Sequence, residues 1–325
     1  MVLMESAELI GQSSLFVWLM DQLRALAELR VPFLTAIMSA VTYLGHEMVF
    51  LVVAMILAWC VDKRYGYRFL GMFMIGSFLQ QALKAAFMIP RPWIIDPSFL
   101  PVENAIAAAS DYSFPSGHTL TAIITLGGLA MCLKKKWAYA AAVVLSAVVA
   151  FSRMYLGVHT LLDVGVGFLL GILVLVFFAF LFRSEQATQK RLNAVLIIGT
   201  ALSVGLLMWL ILRPAPSDPS YLPMALGGID NAFVLCGAAI GLLIGKLIDD
   251  RFVHFKNEAP FIAQTVKVAV GMIVVLAVRG VLKKLFGGDA EPNYLHGVRY
   301  LIMTVVAVGF YPILFRVFNR IGVKR

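Results

Sequence analysis

The chain has 325 residues, of which 61% are hydrophobic and 14% are charged, and its mean hydropathy is +0.89. Soluble domains contain about 45–50% apolar residues, so this composition excludes a soluble globular protein and predicts an integral membrane protein. Apolar stretches of about 20 residues recur along the chain, as transmembrane helices require, whereas a β-barrel would show short alternating segments. The net charge of +9 does not indicate a nucleic-acid-binding protein, because most basic residues flank the apolar stretches.

Residues 1–30 are predicted to form an amphipathic helix that lies in the membrane interface. From residue 8 to residue 30 the chain reads ELIGQSSLFVWLMDQLRALAELR, in which apolar and charged residues alternate with helical spacing. The charged residues interrupt this stretch, so it lacks the continuous apolar core of a cleavable signal peptide. The next stretch, VPFLTAIMSAVTYL at 31–44, is too short to cross a bilayer alone and is predicted to be half inserted.

The remaining apolar stretches predict an all-α, polytopic bundle of about nine transmembrane helices. The predicted spans are 46–61, 67–89, 117–133, 137–152, 160–182, 193–212, 228–248, 260–280 and 296–316. A Pro-rich stretch near 213–223 separates a predicted six-span core, 31–212, from a three-span unit, 213–325, whose role the sequence does not indicate. The three cysteines predict neither a disulfide framework nor a metal site, since each falls at or near a span: Cys60, Cys132 and Cys236.

The basic residues of the loops orient the predicted bundle. One set of alternate loops holds sixteen: Lys63, Arg64, Arg68, Lys134, Lys135, Lys136, Arg183, Lys190, Arg191, Lys246, Arg251, Lys256, Arg316, Arg320, Lys324 and Arg325. The opposite face holds eight: Lys84, Arg91, Arg153, Arg213, Arg279, Lys283, Lys284 and Arg299. The positive-inside rule places the larger set in the cytoplasm of a plasma-membrane protein and the smaller set on the extracytoplasmic side.

Three polar clusters lie on that predicted extracytoplasmic face. They are KAAFMIPRP at 84–92, DYSFPSGH at 111–118 and SRMYLGVHTLLD at 152–163. Ionisable groups between apolar spans are costly unless they are paired or functional. Three cations, two imidazoles and a hydroxyl on one surface suit a phosphate group. They belong to Lys84, Arg91, Arg153, His118, His159 and Ser116, and Asp163 lies in the same clusters.

The cations and the Pro-Ser-Gly-His turn are predicted to bind the phosphate oxygens. The guanidinium groups of Arg91 and Arg153 can contact these oxygens bidentately, and Lys84 adds a point charge. Ser116 is placed to cap the helix that follows it. The free N–H groups of Gly117 and His118 would then point at an anion, helped by the helix dipole.

The two histidines and Asp163 are predicted to carry the chemistry. His159 and Asp163 are four residues apart, so they share a face if this stretch is helical. Asp163 could then accept the proton of one ring nitrogen of His159 and leave the other free to attack phosphorus. His118 becomes the candidate acid for the leaving oxygen. No metal or other cofactor is predicted, because the cations already supply the positive charge that phosphoryl transfer needs.

The three clusters together resemble the signature of the type-2 phosphatidic acid phosphatase family. KAAFMIPRP matches K-x6-R-P, DYSFPSGH ends in P-S-G-H, and SRMYLGVHTLLD matches S-R-x5-H-x3-D, in that order. The resemblance covers about 31–182 and implies a helical membrane core that hydrolyses lipid phosphates. This family shares its site with vanadium haloperoxidases and glucose-6-phosphatase. Many relatives have an aromatic residue and a proline after the histidine, where this chain has Thr160-Leu161-Leu162.

The same resemblance implies a role for each matched residue. His159 would form a phosphohistidine, Asp163 would orient it and His118 would act as general acid. Phosphate would be bound by Lys84, Arg91, Ser116, Gly117 and Arg153. The predicted substrate is a membrane lipid phosphomonoester or pyrophosphate, with undecaprenyl pyrophosphate first and phosphatidic acid or phosphatidylglycerol phosphate as close rivals.

The residues alone also allow other interpretations. The three cations could snorkel to the interface, and Asp163 could merely pair with Arg153. The site could bind without hydrolysis, in a lipid or phosphate transporter, or it could hold vanadate for haloperoxidase chemistry. Gly237, Gly241 and Gly245 are spaced four apart in GAAIGLLIG, which favours close helix packing inside the chain, with a homodimer as the alternative.

Overall fold

The computed structural model describes residues 13–107, 109–184, 188–288 and 292–321. All regular secondary structure within these ranges is helical, which confirms the predicted all-α class. The α-helices are Ser14–Glu28, Pro32–Val41, Glu47–Ile56, Lys63–Phe87, Pro92–Ile95, Glu103–Ile106, Gly117–Ala122, Gly128–Leu133, Lys136–Tyr155, Leu161–Leu181, Thr188–Leu212, Leu222–Ile248, Phe261–Leu285, Asn293–Val305 and Phe315–Phe318. Short 3₁₀ or π turns extend or join them at Thr42–Gly45, Leu57–Val61, Ile123–Gly127, Pro219–Tyr221, Asp249–Val253, Val306–Phe310 and Tyr311–Leu314.

Among the described residues, seven helical segments are long and apolar enough to cross a membrane, so the chain is a multi-span membrane protein. They are Lys63–Ile95, Lys136–Tyr155, Leu161–Leu181, Thr188–Leu212, Pro219–Val253, Phe261–Leu285 and Asn293–Phe318. An eighth crossing results if Pro32–Gly45 and Glu47–Val61, which are bent by 48°, form one span. Gly117–Leu133 is apolar but shorter. Every predicted span falls on a helical segment, but the count of nine is not confirmed.

The bend in the first helix pair lies at His46. The helix that begins at Pro32, a residue suited to the first helical position, tightens into the 3₁₀ turn Thr42–Gly45. His46 has extended backbone angles, φ −82° and ψ 142°, and therefore cannot continue the helix. The next helix begins at Glu47. The predicted boundary between 31–44 and 46–61 is thus a true break in the backbone.

The N-terminal helix runs from Ser14 to Glu28, and residues 1–12 of the predicted helix 1–30 lie outside the described residues. Ser13 caps it, since its hydroxyl accepts a hydrogen bond of 3.2 Å from the backbone N–H of Phe16. One face is buried through Phe16, Leu19, Met20 and Leu23, and three of these pack against Phe99. The opposite face exposes Leu15, Val17 and Trp18. A location in the membrane interface remains a prediction.

The chain packs as two compact units whose segments alternate along the sequence. The first unit consists of Met1–Phe50, Leu79–Phe177 and Leu212–Gly228, and it contains all eight predicted site residues. The second unit consists of Leu51–Phe78, Phe178–Ile211 and Ile229–Arg325. The predicted division into 31–212 and 213–325 follows the order of the chain. The packing instead divides five helices between the units: Glu47–Ile56, Lys63–Phe87, Leu161–Leu181, Thr188–Leu212 and Leu222–Ile248.

The glycine stripe of the second unit packs within this chain. A Cβ atom added to Gly237 would lie 2.0 Å from the carbonyl oxygen of Gly297, and one added to Gly241 would lie 2.6 Å from that of Leu301. At Gly245 the nearest atom would be the Cβ of Val308, at 2.8 Å. The three glycines therefore let two helices of one chain approach closely. A homodimer through this stripe is not supported.

Candidate active site

The first motif places its two cations on either side of a helix end. Lys84 lies in the last turn of the helix Lys63–Phe87. The next residue, Met88, has a left-handed φ of 48° and terminates this helix. Arg91 follows in extended backbone, directly before the short helix Pro92–Ile95. Lys84 is 3% exposed and Arg91 is 2% exposed, so neither side chain snorkels to an interface.

Both cations contact Asp111 at the start of the second motif. The ammonium group of Lys84 lies 2.8 Å from Asp111 Oδ1, and Arg91 Nη2 lies 3.1 Å from the same oxygen. Lys84 also donates to the carbonyl oxygen of Tyr112, and Arg91 Nε donates to that of Asp111 at 2.8 Å. Burial opposes ionisation of this carboxyl group, but the two cations outweigh it and lower the pKa of Asp111 to about 2.

Ser116 caps the helix of the second motif. The helix begins at Gly117, and the Ser116 hydroxyl accepts from the backbone N–H of Thr119 at 3.5 Å and from its hydroxyl at 3.1 Å. The backbone N–H of Ser116 donates to the carbonyl oxygen of Asp163 at 3.0 Å, which joins the second motif to the third. The first N–H groups of this helix lie at Gly117 and His118, where a helix leaves its donors without carbonyl partners.

Of the three cations, Arg153 makes the fewest hydrogen bonds through its side chain. It lies in the last turn of the helix Lys136–Tyr155 and is 1% exposed. Its Nη1 donates to the hydroxyl of Thr42 at 3.0 Å, whereas Nε and Nη2 are buried with no hydrogen-bond partner among the described residues. Buried guanidinium nitrogens without acceptors are costly. An anion that accepts from both nitrogens would remove this cost, as a phosphate does.

His159 contacts Arg91 on one side and Ser113 on the other. Arg91 Nη1 lies 3.0 Å from His159 Nε2, and the hydroxyl of Ser113 lies 3.4 Å from His159 Nδ1. Burial, followed by the charges of Arg91 and Arg153, lowers the pKa of His159 well below its ordinary value. The ring is therefore neutral at pH 7, as a nitrogen nucleophile must be.

Asp163 is held beside His159 by a helix cap. Its Oδ2 accepts from the backbone N–H of Thr160 and from the hydroxyl of Ser113, both at 2.7 Å, and lies 3.6 Å from His159 Nδ1. The backbone N–H of Asp163 lies 3.4 Å from the Thr160 hydroxyl, which completes a reciprocal capping box. The helix begins at Leu161, so His159 precedes it and does not share a helical face with Asp163. The alternative pairing of Asp163 with Arg153 is not observed.

His118 lies at the start of its helix and is half-buried. Its ring meets the ring of His46 edge-on, with 5.9 Å between the ring centroids. A Cβ atom added to Gly45 would lie 2.4 Å from the carbonyl oxygen of His118, so only glycine allows this approach. The 3₁₀ turn Thr42–Gly45 therefore borders the site, next to both Arg153 and His118.

Sequence reasoning missed three residues that contact the predicted ones. Asp111 and Ser113 stand inside the second motif, but nothing in their spacing shows that they face Lys84, Arg91 and Asp163. Thr42 is 111 residues from Arg153 in a segment with no polar pattern. Within the described ranges, no group of three or more His, Cys, Asp or Glu side chains could hold a metal ion.

Comparison with known proteins identifies two family segments in this chain. Residues 65–187, which contain all eight predicted site residues, match the PAP2 superfamily. Residues 233–322 match the PAP2 superfamily phosphatase, transmembrane extension. No solved structure gives a significant match.

Three curated relatives show how far the similarity extends. Sphingosine-1-phosphate phosphatase 1 of Rattus norvegicus is 27% identical over 259 residues, which cover 75% of this chain and 58% of the relative. Undecaprenyl-diphosphatase of Sulfolobus acidocaldarius is 31% identical over 141 residues, which cover 42% and 66%. Phosphatidylglycerophosphatase B of Bacillus subtilis is 31% identical over 162 residues, which cover 46% and 76%. The resemblance inferred from the three motifs is confirmed, and the chain belongs to the PAP2 superfamily.

Proposed function

We propose that this protein hydrolyses the terminal phosphate ester or anhydride of a membrane lipid through a phosphohistidine on His159. One observation carries the proposal. A buried guanidinium with two unpartnered nitrogens, that of Arg153, accompanies a buried and neutral His159 in the same site. The guanidinium suits an anion, and the neutral imidazole suits an electrophile; a phosphoryl group is both.

In the first step His159 Nε2 attacks phosphorus and the bond from phosphorus to the lipid oxygen breaks. Asp163 and Ser113 lie on the Nδ1 side of the ring, where they stabilise the positive charge that the imidazole gains. Burial and the charge of Arg153 lower the pKa of His118 well below its ordinary value. The negative charge of a bound phosphate opposes both effects, so His118 takes up a proton with the substrate and gives it to the leaving lipid oxygen. Arg91, which lies 3.0 Å from Nε2, contacts the phosphoryl oxygens as charge develops on them.

In the second step water attacks the phosphohistidine. His118, now neutral, accepts a proton from this water as the bond from phosphorus to Nε2 breaks. Inorganic phosphate is released and His159 returns to its neutral form. Lys84, Arg91, Arg153 and the N–H groups at Gly117 and His118 stabilise the phosphoryl oxygens in both steps.

The substrate class follows from what the relatives share. Their names specify sphingosine-1-phosphate, undecaprenyl diphosphate and phosphatidylglycerophosphate, which combine a terminal phosphate with an apolar tail. We propose this combination as the substrate, with undecaprenyl pyrophosphate as the first lipid to test. The positive-inside asymmetry supports a site that faces the extracytoplasmic side of the plasma membrane.

A phosphate-release assay tests the proposal. The purified full chain is incubated with micellar undecaprenyl pyrophosphate, sphingosine-1-phosphate, phosphatidic acid and phosphatidylglycerol phosphate, with and without a chelator. We expect phosphate release from at least one lipid, its persistence with chelator, and its loss by at least about 10⁴-fold in His159→Ala. A terminally ³²P-labelled lipid should label the wild-type protein but not His159→Ala.

Two results would overturn the proposal. One is undiminished turnover by His159→Ala, which would exclude the phosphohistidine. The other is transfer of intact lipid phosphate between vesicle leaflets without phosphate release, which would identify a transporter. The structure favours hydrolysis over that alternative, because a binding site needs the cations but has no use for a neutral buried histidine beside them.

A further inference from the structure

Asp111 is a buried carboxylate directly on the cationic side of the site. It is 6% exposed, and its Oδ1 lies 2.8 Å from the ammonium of Lys84 and 3.1 Å from Arg91 Nη2. Its Oδ2 accepts from the side-chain amide of Gln81 at 3.4 Å. Two of the three cations proposed to hold phosphate therefore already have a carboxylate partner, and the third, Arg153, has none among its hydrogen bonds.

The two buried carboxylates of the site differ in what they face. Asp163 faces His159 and Ser113, on the side of the nucleophile. Asp111 instead faces Lys84 and Arg91, which are proposed to bind the phosphate. With His159 neutral, three cations and two carboxylates leave the site with one net positive charge. The carboxyl of Asp111 stays ionised throughout the neutral range, because the cations lower its pKa to about 2.

A phosphate dianion that enters this site must share Lys84 and Arg91 with a fixed negative charge. Lys84 gives two of its three N–H donors to Asp111 and Tyr112. Arg91 gives four of its five to Asp111, Val158 and His159. Each therefore keeps one donor with which phosphate can bind without displacing the carboxylate. The like charge nevertheless weakens its binding in a poorly hydrated site. This repulsion acts equally on inorganic phosphate, the product that has to leave before the next turnover.

We propose that Asp111 is a positioning residue that holds Lys84 and Arg91 and, as a fixed counter-charge, limits how tightly the site retains inorganic phosphate. This inference rests on the proposed function for its role in turnover. The affinity for inorganic phosphate can be measured whether or not the protein hydrolyses any lipid.

The test compares Asp111→Asn with the wild-type protein by titration calorimetry with inorganic phosphate on the purified full chain. We expect the Kd of Asp111→Asn for phosphate to be about tenfold lower, because a charge is lost while the side-chain shape and one acceptor oxygen remain. In the lipid assay, the inhibition constant for added phosphate should fall in parallel with kcat. Glu103→Gln is the matched control: it removes one carboxylate from the exposed start of the short helix Glu103–Ile106 and should leave Kd unchanged.

A second comparison covers the case in which Asp111→Asn does not fold. Lys84→Gln and the double variant Lys84→Gln/Asp111→Asn differ only at position 111, and the double variant has the net site charge of the wild type. A counter-charge role predicts that the double variant binds phosphate about tenfold more tightly than Lys84→Gln alone. Replacing both partners of a buried pair is also milder for folding than replacing one.

An unchanged or higher Kd in Asp111→Asn, or in the double variant against Lys84→Gln, would overturn the inference and leave Asp111 as a purely structural partner of the two cations. Wild-type protein that binds phosphate but releases none from any lipid would instead overturn the proposed function. The two failures are therefore distinguishable in the same set of measurements.

Discussion

Each of the two units contains a buried charged cluster. The two clusters differ in how many of their charged groups' hydrogen-bonding atoms have partners. In the second unit the carboxylate of Asp249, which is fully buried, accepts from Lys63 at 2.8 Å, from the Tyr67 hydroxyl at 3.0 Å and from the backbone N–H of Phe255 at 3.3 Å. Lys63 also donates to the carbonyl oxygen of Phe255 and lies 4.3 Å from the centre of its ring. This cluster is neutral, and both charges have several partners.

The cluster of the first unit carries excess positive charge and leaves two nitrogens of Arg153 unpartnered. Both clusters are costly to bury, and of the two only the first has donors that lack a hydrogen-bond partner among the described residues. The Lys63–Asp249 pair holds helices together, whereas the remaining donors of Arg153, next to a neutral His159, suit an external anion. The number of hydrogen-bond partners therefore distinguishes the proposed phosphate site from a structural ion pair more clearly than residue type does, since both clusters combine Lys and Asp.

Replacing Arg153 should have a large effect on turnover and little effect on folding. Arg153→Gln removes the two unpartnered donors, so we expect kcat/KM for lipid phosphate to fall about 10³-fold, or about 4 kcal/mol of transition-state stabilisation. The thermal midpoint in detergent should stay level or rise, because an unpaired buried charge is removed. Arg153→Lys keeps the charge but not the planar, two-pronged guanidinium group. Its kcat/KM should lie between that of the wild type and that of Arg153→Gln. Wild-type kcat/KM in Arg153→Gln would mean that this guanidinium does not contact substrate.

Replacing Lys63 should reverse that pattern. Lys63→Met leaves the carboxylate of Asp249 buried without its cation, and we expect the free energy of unfolding in mixed micelles to fall by about 3 kcal/mol. Turnover per folded molecule should be unaffected. The double variant Lys63→Met/Asp249→Leu should recover much of the lost stability. If it proves no more stable than Lys63→Met, an unpaired charge is not the cause of the loss.

The sequence predicted the helices well because a helix depends on local features. Every predicted span lies on a helical segment, since a run of apolar residues is sufficient to indicate one. The count of spans was less certain, because the bend at His46 and the short helix after Ser116 depend on backbone geometry and packing. The interleaved units were not predictable either, since helix periodicity does not show which helices pack together.

The same limit applies within the candidate site. The residue types and their order were sufficient to select Lys84, His159 and the other motif residues. Their immediate partners were not, because the contact between Thr42 and Arg153 spans 111 residues and that between Ser113 and Asp163 spans 50. The expected helical face shared by His159 and Asp163 was wrong in its geometry, yet the capping box at Thr160 brings the two side chains to 3.6 Å by another route.

Ser113 provides a smaller test of how the nucleophile is held. Its hydroxyl bonds to Asp163 at 2.7 Å and lies 3.4 Å from His159 Nδ1, so it fixes the carboxylate beside the ring. We expect Ser113→Ala to lower kcat about tenfold with little change in KM, since the residues proposed to bind phosphate are unchanged. Ser113→Thr keeps the hydroxyl and should retain more of kcat. Equal losses in both variants would point to packing and not to the hydrogen bond.

The pH dependence of stability provides the finest distinction between the two clusters. The pKa of His159 is lowered in the folded state, so between this lowered value and about 6.5 the unfolded chain binds more protons than the native site. The stabilisation from a neutral His159 is complete above pH 6.5 and is lost as the pH falls towards the lowered pKa.

Comparing the free energy of unfolding of wild type and His159→Gln across pH 7.5 to 5.5 should show an extra slope in the wild type that approaches about 1.4 kcal/mol per pH unit. Lys63→Met, made in the saturated cluster, should keep the wild-type slope. Equal slopes in wild type and His159→Gln would mean that the imidazole is not held neutral, and the mechanism would lose its nucleophile at physiological pH.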